Sequence, residues 1–303
     1  MALDEFTVVM KARGFVAKAK PSVIPVPLQV YLAEVGAVLR RDEDLGPDEP
    51  GWSVKSPSGR YYICVNARDP EQRQRFTVCH EIGHIVLGLK SDHATQPWSA
   101  KRPPEERMCD LFAAELLMPE GVFRPLAEGS AVSLASVDEL AGRFSTSTVA
   151  TGSRFAAAIS TPCAFVLSEH GKVRYTSRSR ALADVNAWVA PHSELPRGTV
   201  SHGVRAGGTE CRGEIDADVW FSDWERGGTL LEEARHLSRW DLTLSLLWFE
   251  NGSVPRVRDR DRGRRWEIEG REGDEWGRDE DEDEYGLREL DGNLRWPGKG
   301  RRR

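Results

Sequence analysis

The run Arg75-Phe76-Thr77-Val78-Cys79-His80-Glu81-Ile82-Gly83-His84 decides how this chain is read. His80 and His84 are four residues apart, so on a helix they leave one face a single turn apart and can grip one metal ion. Glu81 lies about 100° further round the same helix, within reach of an attacking water without ligating the metal itself. Upstream, Asp69-Pro70-Glu71-Gln72 offers an N-cap carboxylate, a first-turn proline and a reciprocal capping glutamine. Phe76, Cys79, Ile82, Ile85 and Val86 recur at three- and four-residue spacing, the apolar stripe of a core helix, and Gly88 is expected to stop it. Two imidazoles and a carboxylate are costly inside such a helix unless a metal satisfies them. The stretch is therefore read as a metal-holding helix rather than a surface helix that happens to carry two histidines.

His-Glu-x-x-His is the arrangement used by zinc hydrolases, and Zn2+ is the expected cofactor, with Mn2+ as another divalent choice. A catalytic zinc needs a third protein ligand and one open position. Pro103 to Pro119 reads as a second helix, marked by proline at both ends and made of good helix formers. Glu106, Asp110, Ala113 and Leu117 fall near one face of it, while Glu115, nine residues beyond Glu106, falls about half a turn away. Only one of the two glutamates can face the metal. The small residues Cys109, Ala113 and Ala114 permit close approach to the first helix, which favours Glu106 as ligand and Asp110 as acceptor for a ligand imidazole N–H. Glu115 is then expected on a solvated face. His93, in the polar stretch Lys90 to Arg102 that reads as a flap carrying Trp98, is the weaker ligand candidate. Cys79 and Cys109 flank the site and are read as packing residues, with a redox-sensitive thiol near the metal as the alternative.

Taken together, Glu71-Gln72-Arg73-Gln74-Arg75-Phe76-Thr77, His80-Glu81-Ile82-Gly83-His84 and Glu106-x-x-Cys109-Asp110-x-x-Ala113-Ala114-x-x-Leu117-Met118-Pro119 resemble the ImmA/IrrE family of metallo-endopeptidases. The resemblance implies an intracellular protease that cuts helix-turn-helix repressors and so releases stress or mobile-element responses. By motif position it makes His80, His84 and Glu106 the metal ligands and Glu81 the general base. Asp110 stands where that family usually has asparagine. The resemblance covers roughly the first half of the chain.

Composition bounds the remainder. With 303 residues, of which 39% are hydrophobic, the chain can bury the cores of two or so domains. The start Met1-Ala2-Leu3-Asp4-Glu5 lacks the charged and apolar regions of a secretion signal, and no stretch reaches membrane-spanning length, so a cytoplasmic setting is expected. Five cysteines, an odd number in mostly apolar contexts, favour buried thiols over disulfides.

Before the metal helix, Phe6 to Lys18 and Leu28 to Val35 read as helices. Val38-Leu39, Trp52 to Lys55 and Arg60 to Asn66 read as short strands, the last two joined by the turn-forming Ser56 to Gly59. Tyr61 to Asn66 is expected to be the exposed edge that binds an extended peptide. Leu134 to Phe144 and Ser147 to Ala158 resemble a helix-turn-helix. Its second helix carries Arg154 as sole cation, and the chain's formal charge is −6, so direct DNA binding is disfavoured. From Thr161 the pattern turns to strands. A hairpin is expected at 164–176, with a helical stretch over 181–190 and strands over 215–221 and 242–249; 230–237 is open to either form. After Pro255, Arg, Asp, Glu and Gly dominate and cannot order themselves through burial.

The expected fold is thus α+β: a zincin-like peptidase domain over 1–128, a helix-turn-helix-like segment over 129–160, a C-terminal α/β domain, sensor-like by resemblance, over 161–254, and a disordered tail over 255–303. The expected function is a zinc endopeptidase acting on a helix-turn-helix repressor. The competing reading is a regulatory or toxin–antitoxin binding module whose metal only holds the fold.

Overall fold

The computed structural model describes residues 3–46, 48–90, 103–207 and 211–256. The chain separates into two units, one running through Ala158 and the other starting at Ile159. The charged stretch from 257 onward and the flap expected between Lys90 and Arg102, with its His93 and Trp98, fall outside the described residues, save Lys90 itself.

The first unit opens with α1 (Glu5–Ala19), whose N-terminus is capped by the Asp4 carboxylate accepting from the Thr7 N–H, and continues through α2 (Leu28–Val35). Three strands follow: β1 (Ala37–Asp42), β2 (Gly51–Lys55) and β3 (Tyr61–Asn66). They form one sheet in the order β1-β3-β2, with β3 parallel to β1 and antiparallel to β2. The expectation that Tyr61 to Asn66 is the free edge is therefore overturned. Its Ile63, Cys64 and Val65 are buried, and a strand with consecutive apolar residues belongs at the centre, covered on both faces. The edges are β1 and β2.

Next come α3 (Glu71–Leu87), which carries His80 and His84, then α4 (Pro104–Leu117), α5 (Glu120–Glu128), α6 (Leu134–Phe144) and α7 (Thr148–Ala158). Gly88 ends α3 in the left-handed conformation, φ 70°, as the sequence indicated. The start differs. Pro70 is the N-cap, and the Asp69 carboxylate pairs with Arg73 Nε at 3.2 Å instead of capping the helix. A Cβ at Gly83 would lie 3.2 Å from the Cys109 Cα, so α3 and α4 approach as closely as the small residues suggested.

One further expectation fails because this unit has few wet helix faces. Glu115 is 2% exposed rather than solvated. It accepts from Arg154 Nη2 at 2.6 Å and from the Glu120 N–H at 3.0 Å, and pairs with Arg13 Nε at 3.5 Å. In α7, Val149 to Ser153, Phe155, Ala156 and Ala158 are buried, and its one cation, Arg154, is spent on Glu115 and the Met118 carbonyl. A helix so enclosed offers no face to a DNA groove.

The second unit is built on a five-stranded sheet in the order β5-β4-β8-β7-β6, formed by β4 (Cys163–Glu169), β5 (Lys172–Arg178), β6 (Cys211–Asp216), β7 (Thr229–Leu237) and β8 (Leu242–Trp248). Every pairing is antiparallel. The β4–β5 hairpin turns at His170 and Gly171, both at positive φ, as a two-residue connection requires. A core of Val166, Val173, Leu182, Trp220, Phe221, Leu247 and Phe249 packs together. The strand expected over 215–221 stops at Asp216, because Ala217–Trp220 forms a helical turn, α10, which buries Ala217 and Trp220. Helix over 181–190 reduces to α8 (Arg180–Ala183). The helix α9 (Val200–Gly207) had no sequence signal strong enough to announce it.

Candidate metal centre

α3 and α4 together assemble a dense polar cluster inside an apolar interface. His80 Nε2 lies 3.1 Å from His84 Nε2 and 3.1 Å from Glu106 Oε2, and His84 Nε2 lies 3.3 Å from Glu106 Oε1. Asp110 Oδ1, one turn beyond Glu106, is 2.8 Å from His80 Nδ1. None of these residues is more than 9% exposed. The structure thus brings together His80, His84, Glu106 and Asp110, with Glu81 near enough for its charge to act on His80.

The donors fit a tetrahedral divalent ion. Bonds of about 2.0–2.1 Å to nitrogen and oxygen place neighbouring ligand atoms about 3.3 Å apart, which is the spacing seen. Two imidazoles and one carboxylate also leave a fourth position for the reacting groups. Cys109 is the looser partner: its sulfur and one nitrogen from each of His80 and His84 lie within 4.8 Å of one another. Cys79 is fully buried, and that burial pushes its thiol up to about 12, the behaviour of a packing residue.

Protonation follows from the same contacts. Burial opposes an imidazolium at His80. The hydrogen bonds to Asp110 and Glu106, with the charges of Asp110 and Glu81, outweigh that and push its pKa up to about 10. Burial likewise opposes ionisation of Glu106, but His80 and His84 hold its carboxyl well below the ordinary range. In the metal-free chain a proton at His80 therefore takes the place of the cation, and a metal must displace it.

Glu81 is 0% exposed and is reached from the sheet: Ser53 on β2 donates its hydroxyl to Glu81 Oε2 at 2.6 Å. Sequence reasoning missed this contact, because Ser53 lies 28 positions away and carries no motif. A cavity of about 500 Å³ in the second unit, lined by Gly171, Leu195 and Arg205 among others, has no comparable donor set. Its Arg205 is committed to Asp241, and that hydrogen bonding keeps the Asp241 carboxyl down at about 2.

The pattern of the IrrE N-terminal-like domain matches residues 38–156, from β1 through α7. Within a segment of this chain, 36% of 86 residues are identical to the radiation response metalloprotease IrrE of Deinococcus radiodurans. Residues 38–156 belong to the ImmA/IrrE family of metallopeptidase domains. The IrrE match covers 27% of this chain and 26% of that relative, so the chain spans about a quarter of its length. Among solved structures, a transcriptional regulator from Mycobacterium tuberculosis superposes with a TM-score of 0.53 at 13% identity, over 80% of this chain and 76% of the regulator. That likeness is one of fold. The IrrE-like domain includes the β-sheet and both metal-centre helices, and leaves α1, α2 and the second unit outside. Among the described residues no helix is long and apolar enough to cross a membrane.

Proposed function

We propose that this chain is a zinc-dependent endopeptidase of the cytoplasm that cuts a helix-turn-helix transcriptional repressor. The observation that carries the reading is the convergence of His80, His84 and Glu106 to within 3.3 Å, with Glu81 on the residue following the first histidine. Zinc in that set would act as a Lewis acid on the scissile carbonyl. Glu81 takes a proton from the attacking water and returns it to the leaving amine. Asp110 fixes the ring of His80 through its Nδ1, leaving Nε2 for the metal. The proposed substrate class rests on the resemblance of residues 38–156 to the IrrE-like family. The second unit, which lies outside the family match and carries its own core, is the proposed regulatory module.

One observation favours a second reading. The sulfur of Cys109 lies within 4.8 Å of a nitrogen of each histidine, so it could join their site, and closed sites with thiolate are structural. The chain would then bind its partner without cutting it. Co-expression with a helix-turn-helix repressor encoded beside the gene separates the two. The proposal expects two discrete fragments, none with Glu81→Gln or after chelation, and intact casein. A repressor held tightly yet never cut under any metal would favour the binding module; rapid casein hydrolysis would remove the claimed selectivity.

A further inference from the structure

Edge strand β2 runs along the metal helix and touches it at two points of matched spacing. Residues 51 and 53 share one face of a strand, and residues 77 and 81 share one face of a helix, so both pairs repeat over about 6 Å. At the first point the strand is pressed home by the absence of a side chain: a Cβ at Gly51 would sit 2.7 Å from Thr77 Cγ2 and 2.4 Å from the Cys64 carbonyl oxygen. At the second, the Ser53 hydroxyl meets Glu81 Oε2 at 2.6 Å.

The division of labour between these points gives the hydroxyl its meaning. Gly51, together with the full antiparallel pairing of β2 to β3 from Gly51↔Val65 to Lys55↔Tyr61, already fixes where the strand lies. Ser53 is only half-buried and adds little apolar packing. It delivers one directed donor, from a strand held by β3 and packed against α3 at Gly51, to a carboxylate with no solvent exposure. A carboxylate is planar, so fixing one oxygen fixes the plane and direction of the other. At 2.6 Å the bond is short for a hydroxyl donating to oxygen.

We infer that Ser53 is a positioning residue for Glu81: its hydroxyl sets the rotation of the carboxylate, so that the second oxygen is aimed at the attacking water before substrate arrives. This rests on the endopeptidase reading for its catalytic meaning, while the orientation itself is a property of the metal-free chain.

The test has two arms. With [5-13C]glutamate incorporated and the Glu81 resonance identified by its loss in Glu81→Gln, the metal-free full chain is compared with Ser53→Ala and Ser53→Thr. The Glu81 carboxyl resonance should move in Ser53→Ala and return toward its original position in Ser53→Thr, which keeps the hydroxyl and suits a strand. In the zinc-loaded protein acting on the co-expressed repressor, Ser53→Ala should lower kcat about ten- to a hundredfold. KM, zinc content and melting temperature should stay near the original, and Ser53→Thr should recover most of the rate. An unmoved resonance overturns the inference, as does undiminished kcat in Ser53→Ala, or a loss of melting temperature that accounts for the lost rate. A wild-type chain that cuts nothing defeats the endopeptidase reading and removes the catalytic role of Ser53 with it, whereas a moved resonance beside it would show that the failure lies in that reading and not in the contact.

Discussion

Helix α4 carries two buried glutamates nine residues apart, and they sit in opposite chemical settings. Glu106 lies among imidazoles, with His80 and His84 at 3.1 and 3.3 Å. Glu115 lies among guanidiniums, with Arg154 at 2.6 Å and Arg13 at 3.5 Å. A guanidinium keeps its proton at any ordinary pH, so the charge on Glu115 is matched permanently, by arginines that also pair with Glu120. An imidazole can surrender its proton, so the cluster around Glu106 can exchange a proton for a metal. Both glutamates are dry because α4 is enclosed on two sides, facing α3 through Gly83 and Cys109 and facing α1 through Phe112 and Phe15, whose rings lie 5.8 Å apart. On the proposed reading, one end of the helix binds a metal and the other holds the fold.

The sharpest way to break this comparison is metal affinity. Glu106→Ala should weaken zinc binding by about a hundredfold or more in equilibrium dialysis, since removing even an outer partner of a ligand costs ten- to a hundredfold. Glu115→Ala should leave the affinity within about threefold. Equal losses in the two variants would show that the whole helix, and not one end of it, makes the site.

Folding should respond the other way. Glu115→Ala takes one of two carboxylates from the mostly buried Arg154, leaving it Glu120 at 3.1 Å and the Met118 carbonyl, and should cost about 2 kcal/mol in urea unfolding of the metal-free chain. Replacing both partners, Glu115→Leu with Arg154→Met, should cost less than Glu115→Ala alone, because the under-matched buried charge leaves with its partner. A double variant worse than the single one would mean that the ion pair is not the source of the effect.

The helical phase of α4 was legible in the sequence: it separates Glu106 from Glu115 and puts Asp110 beneath Glu106. The sequence did not show which faces are wet, since that depends on α1 and α7 arriving from distant parts of the chain. Glu115 was accordingly misplaced on a solvated face, and Arg154 was weighed for DNA before its partner was visible. Strand order fails to read for a similar reason. Alternation marks β2 and β3 as strands, but only the parallel addition of β1 puts β3 in the middle and leaves Ser53 on an edge strand beside Glu81. Local signals served best where local physics decides, as at Gly88, whose positive φ ends α3, and at the two-residue turn of the β4–β5 hairpin.

A smaller effect sharpens the contrast through pH. In the metal-free chain the pKa of His80 is raised from 6.5 to about 10. A group whose pKa rises on folding contributes stability that is fully present below its unfolded value and lost as pH climbs through the folded one. The metal-free protein should therefore melt at modestly lower temperature as pH goes from about 6.5 to about 10. Zinc affinity should rise over the same range as the competing proton leaves. Glu115→Ala should keep both slopes. A metal-free chain whose melting temperature is flat over that range would mean that His80 holds no proton in place of the metal.

The central claim is that the centre is an open site of two histidines and Glu106, not a site closed by the thiol of Cys109. Cobalt in place of zinc reads this directly, because a thiolate ligand adds an intense near-ultraviolet charge-transfer band that nitrogen and oxygen ligands lack. The wild-type chain should show only the weak visible bands of the ion, unchanged in Cys109→Ala and diminished along with metal binding in Glu106→Ala. A strong near-ultraviolet band that disappears in Cys109→Ala would contradict it.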